Sequence, residues 1–189
     1  SCESHGGPGV SGGVLGRAAL LARLAADPPL VRGLGDVARQ VQPHGIDLRL
    51  ESVWTLADAG AIEADPAASL PDVPDRRLPA RAPVAFDATG RVHLAPGAYV
   101  VRFLESVHLP ADLMALGRPR STLLRCGAAL HTAVWDAGYA GRSEALLTVS
   151  NPHGLWLARG ARLLQLVFFH VEAPGATYAG AYQGEHLRP

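Results

Sequence analysis

A mainly β fold, a sandwich or jelly roll with short helices, is what the 189-residue sequence predicts. Three observations lead there. Apolar runs are short and recur at near-regular spacing. Turn formers are abundant, with 21 Gly and 15 Pro. One stretch alternates with the period of a half-buried strand: Ile46, Leu48 and Leu50 against Asp47, Arg49 and Glu51. The length suits one domain with ample room for a core.

Residues 1–13, rich in Ser, Gly and His, read as a tag or disordered leader and are set aside. Residues 14–26 predict a helix with Leu15, Ala18, Ala19, Ala22 and Ala26 on one face, ended by Asp27-Pro28-Pro29. A short helix is expected near 35–40, then the alternating strand after Pro43. Residues 65–83, rich in Pro, Asp, Ala and Arg, read as a long exposed loop inside the domain. Strands follow at 84–86, 91–94 and 98–104, with Asp87-Ala88-Thr89-Gly90 turning between the first two. Further apolar runs lie at 146–149, 155–157 and 163–171. The domain spans 14–172, and 173–189 form a tail.

Composition removes several functions. The net charge is +0, so nothing points to nucleic acid or an anionic membrane. All 17 basic residues are arginine, which excludes lysine Schiff bases and lysine-bearing phosphate loops. Cys2 and Cys126 cannot make a disulfide framework and fit a reducing cytoplasm. No apolar stretch nears the ~20 residues of a membrane span.

Residues 119–151 carry the chemistry. Ser121 reads as an N-cap, 122–126 as one or two helical turns, and Gly127 as their stop. A helix start offers free N–H groups to anions, and Arg120 beside it suits phosphate oxygens; Arg125 lies one turn on. The same residues also fit an ordinary capped helix with solvated arginines. Residues 128–134 read as a strand entering a tight hairpin, Trp135-Asp136-Ala137-Gly138-Tyr139-Ala140-Gly141, whose backbone could read a base edge. Asp136, beside an apolar Trp, could be partly desolvated and take a proton from water, or serve only as a turn residue.

Four ordered motifs over residues 42–168 resemble the dUTPase/dCTP-deaminase superfamily, closest to its archaeal-type dUTPases. Gln42-Pro43-His44-Gly45-Ile46-Asp47-Leu48 resembles the first motif. Pro119-Arg120-Ser121-Thr122-Leu123 resembles the second, with Thr122 for the usual second serine. The third is the 135–141 segment, with Trp135 replacing a common Ile, and Arg162-Leu163-Leu164-Gln165-Leu166 resembles the fourth. The second and third are the specific ones.

The resemblance implies a distorted jelly-roll trimer with active sites between subunits, hydrolysing dUTP to dUMP and pyrophosphate. It makes Asp136 the acid that activates water and Tyr139 the ring that packs on the deoxyribose and excludes a 2′-hydroxyl. Arg120, Ser121 and Gln165 match phosphate-binding positions, with Thr122 and Arg125 beside them, and Asp47 a supporting acid. Mg²⁺ would be held chiefly by substrate phosphates and water, with no direct protein ligand required.

Deamination of dCTP in this superfamily needs a glutamate three residues before the closing Asn151. Thr148 stands there, and counting from Asp136 gives Leu146. Glu144 is the nearest acid, sharing a strand face with both; it could take that role in a shifted register, or be a solvated acid paired with Arg142. Zinc deamination lacks its Cys-x-x-Cys ligands. The tail, with Tyr182-Gln183-Gly184, is expected to act as a lid, Arg188 contacting phosphate, or to be a plain disordered end. A nucleotide-binding trimer without turnover is the non-enzyme alternative. His131 reads as a core histidine or a base contact, and Trp54 and Trp156 as packing residues.

Overall fold

The structure, a computed structural model, describes residues 13–62, 76–172 and 175–187. The leader up to residue 12, Arg188 and the centre of the long loop lie outside the described residues. Gly13, assigned to the leader, belongs to the fold: its carbonyl accepts from the His170 amide at 3.1 Å.

A curled nine-stranded sheet dominates. Its main path runs Ala128–His131, Glu144–Val149, Gly97–Phe103, Gly45–Leu56, Arg162–His170, Leu113–Pro119 and Val134–Trp135, with Val41–Gln42 and Arg81–Pro83 attached to Gly45–Leu56. Every pairing along it is antiparallel. A three-stranded sheet joins Val31–Arg32, Ser106–His108 and Ala140–Gly141. Arg91–Leu94 pairs with Leu155–Ala158. The core lies in the curl, where Leu48, Leu50, Phe103, Leu147, Leu164, Leu166 and Phe168 are fully buried.

Several expectations shift. The first helix is shorter, Arg17–Leu24, and it buries Leu20 while Ala18, Ala19, Ala22 and Ala26 are exposed. Alanines remove little apolar area from water, so the leucines decide which face turns inward. Val14 and Leu15 instead pair with the sheet, Leu15 N–H reaching the Phe168 carbonyl at 2.9 Å. The second helix is Val37–Gln40, capped by Asp36 Oδ1 on the Arg39 amide at 3.1 Å. The 65–83 loop is not all loop: Arg76–Arg77 pairs with Ala61–Ile62, and Arg81–Pro83 pairs with Trp54–Leu56, displacing the strand expected at 84–86. Trp156 is 56% exposed, with the Arg91 guanidinium 5.0 Å from its ring centre, so it is not a packing residue. His131 is exposed rather than core. Among the described residues no helix is long and apolar enough to cross a membrane.

Candidate active site

Asp47 lies on the central strand, opposite Gln165 on Arg162–His170, which in turn faces Arg118. The expected alternation places Asp47 on a polar face, yet its side chain is 0% exposed. Arg120 Nε and Arg162 Nη1 each approach its Oδ2 at 3.1 Å, and Oδ1 has no partner. Burial pushes the Asp47 carboxyl above its ordinary value, against the pull of both guanidinium charges. Gly45 is required here by close approach: a Cβ on it would collide with the Leu166 backbone carbonyl of the neighbouring strand and stand 2.8 Å from Gln165 Cγ. The motif glycine thus lets the backbone at Leu166 and the Gln165 side chain approach the strand together.

Leu113–Pro119 delivers Arg120, whose amide bonds the Leu163 carbonyl at 2.9 Å. The helix that follows is Ser121–Arg125, so Arg120 is the N-cap residue and Ser121 the first helical residue, not the cap. Ser121, Thr122 and Arg125 are exposed. Arg120 and Thr122 line a cavity of about 580 Å³ with Arg39, Arg49 and Arg162. Ser121, Arg125 and Gln165 do not line it.

The expected hairpin at 135–141 is instead a turn between sheets. Val134–Trp135 pairs with Leu113–Pro119, whereas Ala140–Gly141 pairs with Ser106–His108. Gly138 holds the turn with φ +86, and the Thr177 side chain stands where its Cβ would be. Asp136 is exposed rather than desolvated, and among the described residues its carboxylate accepts no hydrogen bond. Tyr139 is only 6% exposed. Its hydroxyl donates to Glu185 Oε1 at 2.8 Å and lies 3.1 Å from Ser143 Oγ. Burial pushes its pKa far up, so the phenol stays protonated.

Glu185 belongs to the tail, which sequence reasoning treated only as a lid or loose end. The tail packs on the 137–142 segment: Gly184 N–H reaches the Ala140 carbonyl at 2.7 Å, and Arg142 N–H the Glu185 carbonyl at 2.9 Å. The Gln183 carboxamide accepts from Ala140 N–H at 3.0 Å and donates to the Gly138 carbonyl at 2.9 Å. Burial raises the Glu185 carboxyl, the Tyr139 hydrogen bond countering it and the nearby Glu144 charge adding to it. Asp136, Tyr139, Glu144, Tyr178, Tyr182 and Glu185 border a cavity of about 330 Å³.

Glu144 is neither solvated nor paired with Arg142. Its side chain is 16% exposed and held by Arg81 at 2.6 Å and Arg102 at 3.0 Å, while Arg142 pairs with Glu51. Burial alone would raise its carboxyl, but the hydrogen bonds and charges of Arg81 and Arg102 hold it below the ordinary value. It shares a face with Leu146 and Thr148, as alternation requires.

One chain does not bring Asp136 to Arg120. Ala115 pairs with Trp135, so Asp136 sits near the start of Leu113–Pro119, and Arg120 follows its far end. At ~3.3 Å per residue they are roughly 20 Å apart.

Residues 14–171 match the dCTP deaminase-like family. A probable deoxyuridine 5′-triphosphate nucleotidohydrolase of Methanococcoides burtonii is 42% identical over 163 residues, 86% of this chain and 92% of its own length. A counterpart so named from Archaeoglobus fulgidus is 44% identical over 158 residues, 84% and 89% of the two chains. Among solved structures, the 2′-deoxycytidine 5′-triphosphate deaminase of Agrobacterium tumefaciens superposes with TM-score 0.61 at 26% identity, covering 85% of this chain. The match spans about half of that deaminase, 49%. The extent of the sequence match and the shared architecture place this chain in the dCTP deaminase-like family.

Proposed function

We propose that the protein is a dUTP diphosphatase, hydrolysing dUTP to dUMP and pyrophosphate in clefts between the copies of a homotrimer. The carrying observation is Asp136, an exposed carboxylate without a partner among the described residues, on a turn that also presents Tyr139. A catalytic base must be free to hold water, and every other acid near that cavity is engaged: Glu144 by two arginines, Glu185 by Tyr139. The archaeal relatives bearing the same activity in their names support the substrate.

In this reading Asp136 takes a proton from water as the water oxygen bonds to the α-phosphorus. The bond from that phosphorus to its bridging oxygen breaks in line, and pyrophosphate leaves. Arg120, oriented by Asp47, neutralises phosphate oxygens together with the amides at the start of Ser121–Arg125 and the Ser121 and Thr122 hydroxyls. Gln165, beside Asp47, offers an amide donor to the same region, and Arg125 adds positive charge one turn on. Tyr139 packs on the sugar.

The donor set fits Mg²⁺ carried by the substrate. Asp136 offers the expected site an exposed carboxylate that would face the water shell of a substrate-bound ion, whereas Asp47 is fully buried and would act only through Arg120. Mg²⁺ tolerates such a site because it keeps much of its water. Such an ion would supply charge neutralisation to the triphosphate.

Deamination of dCTP is the second reading, favoured by the Agrobacterium neighbour and by Glu144 at the same cavity as Asp136. Two arginines hold Glu144 ionised, which suits a structural anchor better than a group that must gain and lose protons. The test is a substrate panel with Mg²⁺ or EDTA. Pyrophosphate from dUTP only when Mg²⁺ is present, and no ammonia from dCTP, is expected. Ammonia from dCTP overturns the hydrolase-only reading.

A further inference from the structure

We propose that Ser143 and Glu185 are positioning residues that set sugar selectivity by fixing the ring of Tyr139. The inference rests on the reading of Tyr139 as the residue that packs on the deoxyribose.

The basis is a hydrogen-bonded chain with one possible direction. Trp135 Nε1 lies 2.6 Å from Ser143 Oγ, and an indole nitrogen can only donate. At the other end the Tyr139 hydroxyl lies 2.8 Å from Glu185 Oε1, and a carboxylate can only accept. The middle link, Ser143 Oγ to Tyr139 Oη at 3.1 Å, could run either way taken alone. The Tyr139 proton is committed to Glu185, so Ser143 must supply the proton of the middle link. The order is then Trp135 to Ser143 to Tyr139 to Glu185.

The chain is dry where it matters. Trp135, Ser143 and Tyr139 are 5%, 4% and 6% exposed. The phenol does not ionise at working pH, so it does not stop donating. Tyr178 adds an edge contact at 5.8 Å between ring centres, but no hydrogen bond from it holds the Tyr139 hydroxyl. The hydroxyl is therefore aimed by Ser143 from beneath and Glu185 from the tail. A ring excludes a 2′-hydroxyl only if it cannot yield by a fraction of an ångström, and the neighbouring cavity of about 330 Å³ gives a loosened ring somewhere to go. Because Glu185 sits on the tail, discrimination between sugars is coupled to tail docking.

The experiment compares kcat/KM for dUTP and UTP in the full-length protein. Ser143→Ala and Glu185→Ala are expected to lower the dUTP:UTP ratio about tenfold, mainly by raising UTP turnover. Glu185→Gln retains an accepting oxygen and is expected to keep the ratio near wild type. General loss of folding would depress both substrates together and leave the ratio unmoved; Glu185→Ala, on the surface tail, guards against a Ser143 variant that fails to fold. Tyr139→Ala separates the two levels. If it lowers the ratio while Ser143→Ala and Glu185→Ala do not, the positioning proposal is overturned and the Tyr139 reading stands. If Tyr139→Ala leaves the ratio unchanged, the sugar-packing reading fails and this inference with it.

Discussion

Asp47 and Asp136 are the two acids the proposed chemistry leans on, and their surroundings are opposite. Asp136 is exposed and, among the described residues, without a partner; replacing it with Asn keeps its shape and removes its basicity. Asp136→Asn is expected to lower kcat for dUTP by about 10²–10⁴, with nucleotide binding retained in calorimetry. Near-normal turnover would remove the proposed base. Asp47 is fully buried, with one oxygen lacking a partner and the other shared by two partly solvated arginines. Burial raises its carboxyl, so its contribution to stability is full in acid and is lost as pH rises through the folded value. Asp47→Asn is therefore expected to gain stability relative to wild type from about pH 4 upward, while kcat/KM falls at least about tenfold because Arg120 loses its anchor. Denaturant titrations at stepped pH check the first half. A wild-type advantage that grows with pH would contradict it. Alternation at 46–51 gave the strand but hid the burial of Asp47, because a central strand covered on both faces turns its polar side inward as well.

Among the elements, the turn after Trp135 was legible in its residues and not in its pairing. Gly138, Tyr139 and Gly141 mark a sharp reversal, but nothing local says that its arms join different sheets; that depends on Ser106–His108 and Leu113–Pro119, which the apolar pattern did not reveal as strands. The docking of the tail is not legible for a similar reason: Gln183 and Glu185 are ordinary polar residues until Ala140 and Tyr139 are placed beside them. The strand Glu144–Val149 is anchored at its start by the pair with Arg81 and Arg102. Glu144→Gln is expected to cost about 1–3 kcal/mol at neutral pH. The Glu144 carboxyl is held below its ordinary value, so this advantage exists above the unfolded pKa and disappears as pH falls through the folded one. Stability curves of the two proteins should converge in acid. Curves that stay parallel would show that Glu144 acts by packing alone.

For the whole molecule, the roughly 20 Å between Asp136 and Arg120 decides how many copies a working site needs. If each cleft takes Asp136 from one copy and Arg120 from the next, Asp136→Asn and Arg120→Ala proteins, each inactive alone, should regain activity when refolded together, in about one site in four for a random trimer. Light scattering should give three times the chain mass. Recovery of nothing from a mixed trimer would place each site within one chain. The separation is not legible in the family motifs: it follows from the register of Leu113–Pro119 against Val134–Trp135, which keeps the two residues apart within one copy. The same stitching of one turn to two sheets has a mechanical result. Asp136 stands at a seam, so sliding of one sheet over the other would displace its carboxylate before disturbing the interior of either, and substitutions beneath Val107 or Ala115 would slow turnover without touching the nucleotide.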